Sequence, residues 1–136
     1  MLKLKNLTLK SLIIQSPMAG CTDLAYRLLS REYGMEFCFL EMVSAESLIR
    51  SNEGALELMD TTPDDRPLGA QLVGCRPEAM GEAAKKIEDM GFGLLDLNLG
   101  CPVPKVAGHG AGAALLEKPE EARKILGLPL DKNIIV

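Results

Sequence analysis

The stretch that decides the fold is Gly93-Leu-Leu-Asp-Leu-Asn-Leu-Gly-Cys-Pro-Val-Pro-Lys105. Its apolar run, Leu94 to Leu97, reads as a short strand that ends in an amide, a glycine and a thiol. A rigid strand delivers such groups to one edge of a sheet, where Cys101 on the following loop can reach a ligand.

Working outward, the same unit recurs. Leu68 to Val73 reads as the strand before it, followed by a helix that Pro77 starts and Gly91 ends, with Met80, Ala83, Ala84 and Ile87 on one face. Phe37 to Leu40 reads as an earlier strand ending at Glu41, with Ser44 capping a helix through Ile49 and a second helical piece over Glu53 to Met59. Leu12-Ile13-Ile14 begins an apolar run that Pro17 terminates, as a buried strand would. Thr22 or Asp23 caps the next helix, where Leu24, Ala25, Leu28 and Leu29 recur at helical spacing until Gly34. At the start, residues 2 to 9 alternate apolar and polar around Asn6, which suits a small hairpin. After a glycine-rich loop, Ala113 to Leu116 and Pro119 to Leu126 read as helical, and Asn133 to Val136 as the beginning of a fifth strand.

Strands alternating with helices imply parallel pairing through right-handed crossovers, with ligands at the carboxyl ends of the strands. No GxGxxG occupies the first strand-to-helix turn, so an open dinucleotide-type sheet gives way to a barrel. The expected fold is therefore α/β: about four β/α units of a TIM (β/α)8 barrel with a short amino-terminal hairpin. A complete barrel takes roughly 250 residues, so a half-barrel of 136 residues is expected to leave open sheet edges that invite self-association.

Composition narrows the class. The chain is 47% hydrophobic and 25% charged, which suits a globular domain with a real core. A net charge of -4, low aromatic content and no Trp argue against a freestanding nucleic-acid binder. Cys21, Cys38, Cys75 and Cys101 form no metal-binding spacing, so no metal is expected, and a reducing cytoplasm is the expected location. No apolar run reaches the ~18 residues of a membrane span.

Candidate chemistry falls on few residues. Cys101, between Gly100 and Pro102, is a nucleophile or proton donor on one reading and a small packed hydrophobe on the other. Pro17-Met18-Ala19-Gly20 is either a tight strand-to-helix turn or a surface that a planar ligand approaches closely. Gln71 lies inside an otherwise aliphatic strand, where its amide must find a neighbouring side chain or a ligand; Asn98 poses the same question. Gly108 to Gly112 reads as phosphate-binding backbone or as a close-packed or mobile loop. His109 reads as a solvated loop residue, Cys38 as core, Cys21 and Cys75 as packing residues, and Lys85, Lys86, Glu88 and Asp89 as a solvated helix face.

Several segments together resemble the tRNA-dihydrouridine synthases, flavin enzymes in which a barrel precedes a helical RNA-binding domain. They are Ser16-Pro-Met-Ala-Gly-Cys-Thr-Asp-Leu-Ala-Tyr-Arg27, Glu41-Met-Val-Ser-Ala45, Arg66-Pro-Leu-Gly-Ala-Gln-Leu-Val-Gly74, Asp96-Leu-Asn-Leu-Gly-Cys-Pro-Val-Pro-Lys105 and Gly110-Ala-Gly-Ala-Ala-Leu-Leu116, in family order over residues 12 to 126. The resemblance implies that Pro17, Met18 and Ala19 border FMN, that Gln71 hydrogen-bonds its ring system, and that Asn98 lies beside flavin and target uracil. It implies that Cys101 donates the proton as uridine in tRNA becomes 5,6-dihydrouridine, with NADPH restoring the flavin. On the same resemblance, residues 1–136 are the amino-terminal half of an FMN-binding barrel whose remainder and RNA-binding domain lie outside this chain, and the chain alone is expected to be inactive. Two alternatives compete: an FMN barrel of the dihydroorotate dehydrogenase type, and a non-catalytic half-barrel interaction module.

Overall fold

The computed structural model of the chain describes residues 1–4, 7–127 and 134–135. β1 (Leu2–Leu4) and β2 (Leu7–Leu9) pair antiparallel as the expected hairpin; Asn6, around which the sequence alternates, lies outside the described residues. There follow α1 (Leu24–Glu32), β3 (Cys38–Ser44), α2 (Ala45–Ile49), α3 (Glu53–Leu58), β4 (Leu68–Val73), α4 (Pro77–Asp89), β5 (Leu94–Leu97), α5 (Pro104–Ala107), α6 (Pro119–Leu126) and β6 (Ile134–Ile135). Short 3-10 turns occupy Pro63–Asp65 and Gly112–Glu117. Strands β3, β4, β5 and β6 lie side by side in chain order, all parallel, so that Gln71 is in register with both Met42 and Asp96. This is an α/β fold consistent with part of a TIM barrel, and among the described residues the sheet does not close. The expected fifth strand is present as Ile134–Ile135, its flanking Asn133 and Val136 lying outside the described residues.

Alternation along the strands divides their side chains between two faces. Cys38, Leu40, Leu68, Ala70, Leu72, Leu95 and Leu97 join Leu48, Met80, Ala83 and Ile87 of the helices in the larger core. On the other face Phe37, Phe39 and Leu94 meet Leu9 of the hairpin, with Leu2, Leu4, Leu7 and Ile14 around them. The Phe37 and Phe39 rings stand edge to face with centroids 5.3 Å apart. Gly69 makes room for them: a Cβ there would lie 2.4 Å from Phe39 Cε1 and 3.1 Å from a Phe37 ring carbon. The amino half of this face is thus filled with apolar groups by the hairpin, and its polar residues, Gln71, Asp96 and Asn98, follow toward the carboxyl ends of the strands.

Four expectations need correction. Leu12–Ile14 does not form a buried strand: only Gln15 pairs with β3, opposite Cys38, its N–H donating to the Phe37 carbonyl at 3.0 Å, while Leu12 and Ile13 are 74% and 68% exposed. The backbone there is satisfied locally, Ser11 N–H by Glu36 (2.7 Å) and Ile13 N–H by the Ser11 hydroxyl (2.9 Å), so no second strand is needed beside it. The strand after Gly34 does not end at Glu41 but runs to Ser44 past an irregularity between Phe39 and Met42. Pro104–Ala107 is a helical turn rather than loop. Finally, α1 does not dock through its apolar stripe: Ala25 and Leu29 are exposed and Arg27 is the buried residue.

The reason lies in an ion cluster. Asp65, fully buried, accepts from Arg27 Nε at 2.8 Å and Arg31 Nε at 3.3 Å, and Arg27 Nη2 lies 2.8 Å from the same carboxylate. The remaining guanidinium N–H groups go to main-chain carbonyls: Arg27 to Thr22 and Asp60 (both 2.7 Å), Arg31 to Glu36, Asp65 and Pro67. Charge pairing and hydrogen bonding make the burial of Arg27 and Asp65 tolerable, with half-buried Arg31 as a third partner, and the cluster ties the first strand-to-helix loop to the segment leading into β4. Lys86 is likewise not merely solvated, since its Nζ donates to the Leu48 and Ile49 carbonyls at the end of α2.

Two stability measurements check these arguments. Asp65→Ala, which strands two guanidinium groups, is expected to cost about 3–5 kcal/mol in urea unfolding, whereas Glu121→Ala, removing an exposed partner of Lys124, leaves the midpoint unchanged. Gly69→Ala is expected to cost about 1–3 kcal/mol by overpacking the two rings; an unchanged midpoint would refute the tight contact.

Candidate active site

In sheet order, the turn after Gln15, Glu41 within β3, Gln71 within β4 and Asn98 just past β5 follow one another toward the carboxyl side of the sheet. Gln71, 8% exposed, donates through Nε2 to the Asp96 carboxylate on the neighbouring strand. Its Oε1 accepts from Asn98 Nδ2 at 3.1 Å. Asn98 Oδ1 in turn accepts the backbone N–H of Cys101 at 2.9 Å and of Gly100 at 3.3 Å, while its own N–H continues the ladder to Leu72 O at 2.8 Å. The structure therefore joins three of the residues singled out in the sequence, Gln71, Asn98 and Cys101, in one line of hydrogen bonds.

Cys101 is half-buried on a loop clamped from two sides. Asn98 holds its N–H, and Ala113 N–H donates to its carbonyl at 2.9 Å. Gly112 permits this approach: at φ +59°, a Cβ on it would lie 2.5 Å from Cys101 O, 3.2 Å from Cys101 Cβ and 2.9 Å from Val106 Cγ1. The loop between them is not an open anion cradle, because its N–H groups are engaged within it. The N–H groups of Gly108, His109, Gly110 and Ala111 are spent on the carbonyls of Pro104, Val106, Ala107 and Val106, and His109 Nδ1 meets Lys105 O at 2.9 Å.

Pro17, Met18 and Ala19 lie at the same edge, three strand positions from β5, or about 14 Å at the usual ~4.8 Å spacing. Pro17 is half-buried; Met18 and Ala19 are exposed. Their turn is braced by buried Thr22, whose hydroxyl donates to Met18 O (3.2 Å) and accepts from Met18 N (3.1 Å), and whose carbonyl is held by Arg27. Gly20 N–H donates to Glu41, tying the turn to β3. Beside it opens a cleft of about 210 Å³ lined by Asp23, Glu41, Glu57 and Asp60 among others. Its carboxylates make it a poor seat for a phosphate.

Electrostatics separate the groups. Burial pushes the Asp96 carboxyl above the usual aspartate range, partly offset by the Gln71 N–H that favours its ionised form. Burial likewise raises the Cys38 thiol, helped by the Asp65 charge and opposed by Arg31 and Arg27; Cys38 is core, as expected. Cys21 is exposed rather than packed, and Cys75 is half-buried with its thiol donating to His109 O at 3.3 Å.

Asp96 and Thr22 were not singled out from the sequence as site residues. A signal for Asp96 was available: like Gln71, it is a polar residue inside an otherwise aliphatic parallel strand, and such a group must find a partner. Thr22 reads only as a helix-cap candidate, and its bonds to Met18 and Arg27 follow from the fold of the turn. Among the described residues no helix is long and apolar enough to cross a membrane, and no group of His, Cys, Asp or Glu is placed to hold a metal ion.

Comparison with known proteins agrees with this geometry. The family model for dihydrouridine synthases matches residues 14–128. A protein of Synechocystis described as "Probable tRNA-dihydrouridine synthase 1" is 40% identical over 92% of this chain and 35% of its own length. A "Probable tRNA-dihydrouridine synthase" of Rickettsia prowazekii is 39% identical over 92% of this chain and 38% of its own length. "tRNA-dihydrouridine synthase B" of Xanthomonas axonopodis pv. citri is 35% identical over 84% of this chain and 34% of its own length. The chain thus spans little more than a third of these relatives. With the family model covering most of its residues, including the hydrogen-bonded line from Gln71 to Cys101, the chain belongs to the dihydrouridine synthase family.

Proposed function

We propose that these residues form the amino-terminal part of the barrel of a tRNA-dihydrouridine synthase, an FMN enzyme that reduces uridine in tRNA to 5,6-dihydrouridine. The observation that carries the reading is the line Gln71, Asn98, Cys101 at the carboxyl edge of the parallel sheet. Family membership adds the reaction class, and the residues fit the cofactor. After the bonds described, each amide retains one N–H and Gln71 Oε1 one lone pair, the mixed donor and acceptor capacity that the carbonyl and N–H edge of a planar heterocycle requires. Exposed Met18 and Ala19 offer an apolar border for its ring.

FMN, when bound and reduced, supplies the hydride to one carbon of the uracil C5–C6 double bond, and NADPH is the reductant that restores it. The chain's own residues do the rest. Gln71 anchors the flavin edge, Asn98 orients the uracil and holds the Cys101 loop, and the Cys101 thiol delivers a proton to the other carbon. The thiolate left behind is reprotonated from solvent. A thiol suits this role because its S–H carries a proton that can be transferred to carbon. The uridine must leave its stack to reach the pocket; RNA contacts beyond it belong to the rest of the protein, as this acidic chain carries no excess of positive charge.

A second reading, association through the open edge, is favoured by one observation: Leu12 and Ile13 near the first strand position, Leu29 on α1 and Tyr33 at its carboxyl end are all more than half exposed. A monodisperse dimer in sedimentation, without flavin, would favour that module over the enzyme.

The test of the leading reading uses the whole protein that carries these residues, supplied with FMN, NADPH and tRNA. Cys101→Ala is expected to lower dihydrouridine formation about 10²–10⁴-fold while leaving flavin absorbance in place; unchanged turnover removes its acid role. Gln71→Leu is expected to weaken FMN binding by about tenfold, the loss of roughly one hydrogen bond. Thiol alkylation should modify Cys21 first and leave Cys38 unmodified until the chain unfolds, as its burial and raised pKa require; early loss of Cys38 would contradict the core described above.

A further inference from the structure

Asp96 takes no part in the chemistry just described, yet the line of hydrogen bonds starts at its carboxylate. An ionised carboxylate accepts hydrogen bonds and donates none. Gln71 must therefore present Nε2 to it, which leaves Oε1 facing Asn98. Asn98 must then present Nδ2 to Gln71, which leaves Oδ1 for the N–H groups of Gly100 and Cys101. Each amide, free to flip if alone, is given one orientation by the group before it. Among the described residues of the four-stranded sheet, no other ionisable side chain is bonded to the start of the line. β4 and the described part of β6 carry none, β5 carries only Asp96, and on β3 the ionisable side chains are Cys38, buried on the helix side, and Glu41, engaged with Gly20.

We propose that Asp96 is a positioning residue: its carboxylate sets the orientation of the Gln71 amide, Gln71 sets that of Asn98, and Asn98 seats the loop that bears Cys101. The proposal rests on the reading of Gln71, Asn98 and Cys101 as the ligand-facing groups, and it adds what decides which of their atoms face the ligand. Protonated, Asp96 gains an O–H donor and no longer requires nitrogen from Gln71. The raised pKa that burial gives it brings that change closer to neutrality.

The experiment follows the side-chain amide resonances of Gln71 and Asn98 in the 15N-labelled full chain, assigned by their loss in Gln71→Met and Asn98→Leu. The pH is carried from below the ordinary aspartate value of about 3.9 up to neutrality. Both amides are expected to shift together in one step centred above that value, and the step is expected to vanish in Asp96→Asn, whose Oδ1 can still accept from Gln71. Amides that do not titrate while the backbone spectrum stays folded would overturn the proposal, as would a step that survives in Asp96→Asn. Should the variant fail to fold, the titration of the unaltered chain decides alone. FMN fluorescence quenching in the whole protein that carries these residues forms a second arm, with Asp96→Ala expected to weaken binding by about tenfold. A shared amide step with no quenching in the unaltered whole protein would support the positioning role and count against the flavin reading, so the two fail separately.

Discussion

A parallel strand covered on both faces has to divide its side chains between two environments, and that division organises everything else in this chain. In β4 every residue is buried, but Leu68, Ala70 and Leu72 face the helices while Gly69 and Gln71 face the other way. The helix side is apolar along its whole length. The opposite side is apolar only where the amino-terminal hairpin covers it, and there the space is so fully used by Phe37 and Phe39 that the facing residue is a glycine. Toward the carboxyl ends the hairpin no longer reaches, and amides and a carboxylate replace the rings. A polar site at that end is thus the continuation of a packing pattern, and the polar residues solve one another's desolvation by bonding in line.

The ion cluster around Asp65 serves the same end by another route. The turn that carries Pro17, Met18 and Ala19 follows a single bridging residue rather than a full strand, so the sheet alone positions it weakly. Arg27 supplies the missing constraint: it holds the Thr22 carbonyl, and Thr22 holds both the N–H and the carbonyl of Met18. A buried charged triad is a poor source of net stability compared with apolar packing. It does fix a geometry, since five planar N–H donors can be satisfied in few ways. The turn and the sheet end thus reach the site on separate supports, one electrostatic and one built from ladder hydrogen bonds.

Much of the architecture was legible in the residues. The alternation of strand and helix, the Pro and Gly that bound α4, the buried stripe of Met80, Ala83, Ala84 and Ile87, and the hairpin at the start are all local signals, and all are present. The failures have a common cause. The apolar run Leu12 to Ile14 reads as buried because hydrophobic pattern assumes a neighbour, and none is described beside it. The stripe on α1 fails in the same way, its docking being decided by Asp65, thirty-eight residues beyond Arg27. Glu41 reads as the end of its strand, whereas β3 absorbs it at an irregularity and continues. The candidate groups Gln71, Asn98 and Cys101 were recognisable and expected at one end of the sheet, but that they share a single hydrogen-bonded line was not.

What the sequence by itself determined is the set of elements and their faces, because period, caps and turn residues act over a few positions and need no partner to be read. Tertiary structure alone decided which polar groups meet: that Asp96 stands beside Gln71, that Asn98 reaches both Gln71 and the Cys101 loop, and that Arg27 is buried while Leu29 is not. The physical reason is that a hydrogen bond or ion pair is specified by the position of its partner. In a parallel sheet that partner lies a whole crossover away in the chain, set by a register that local pattern does not encode.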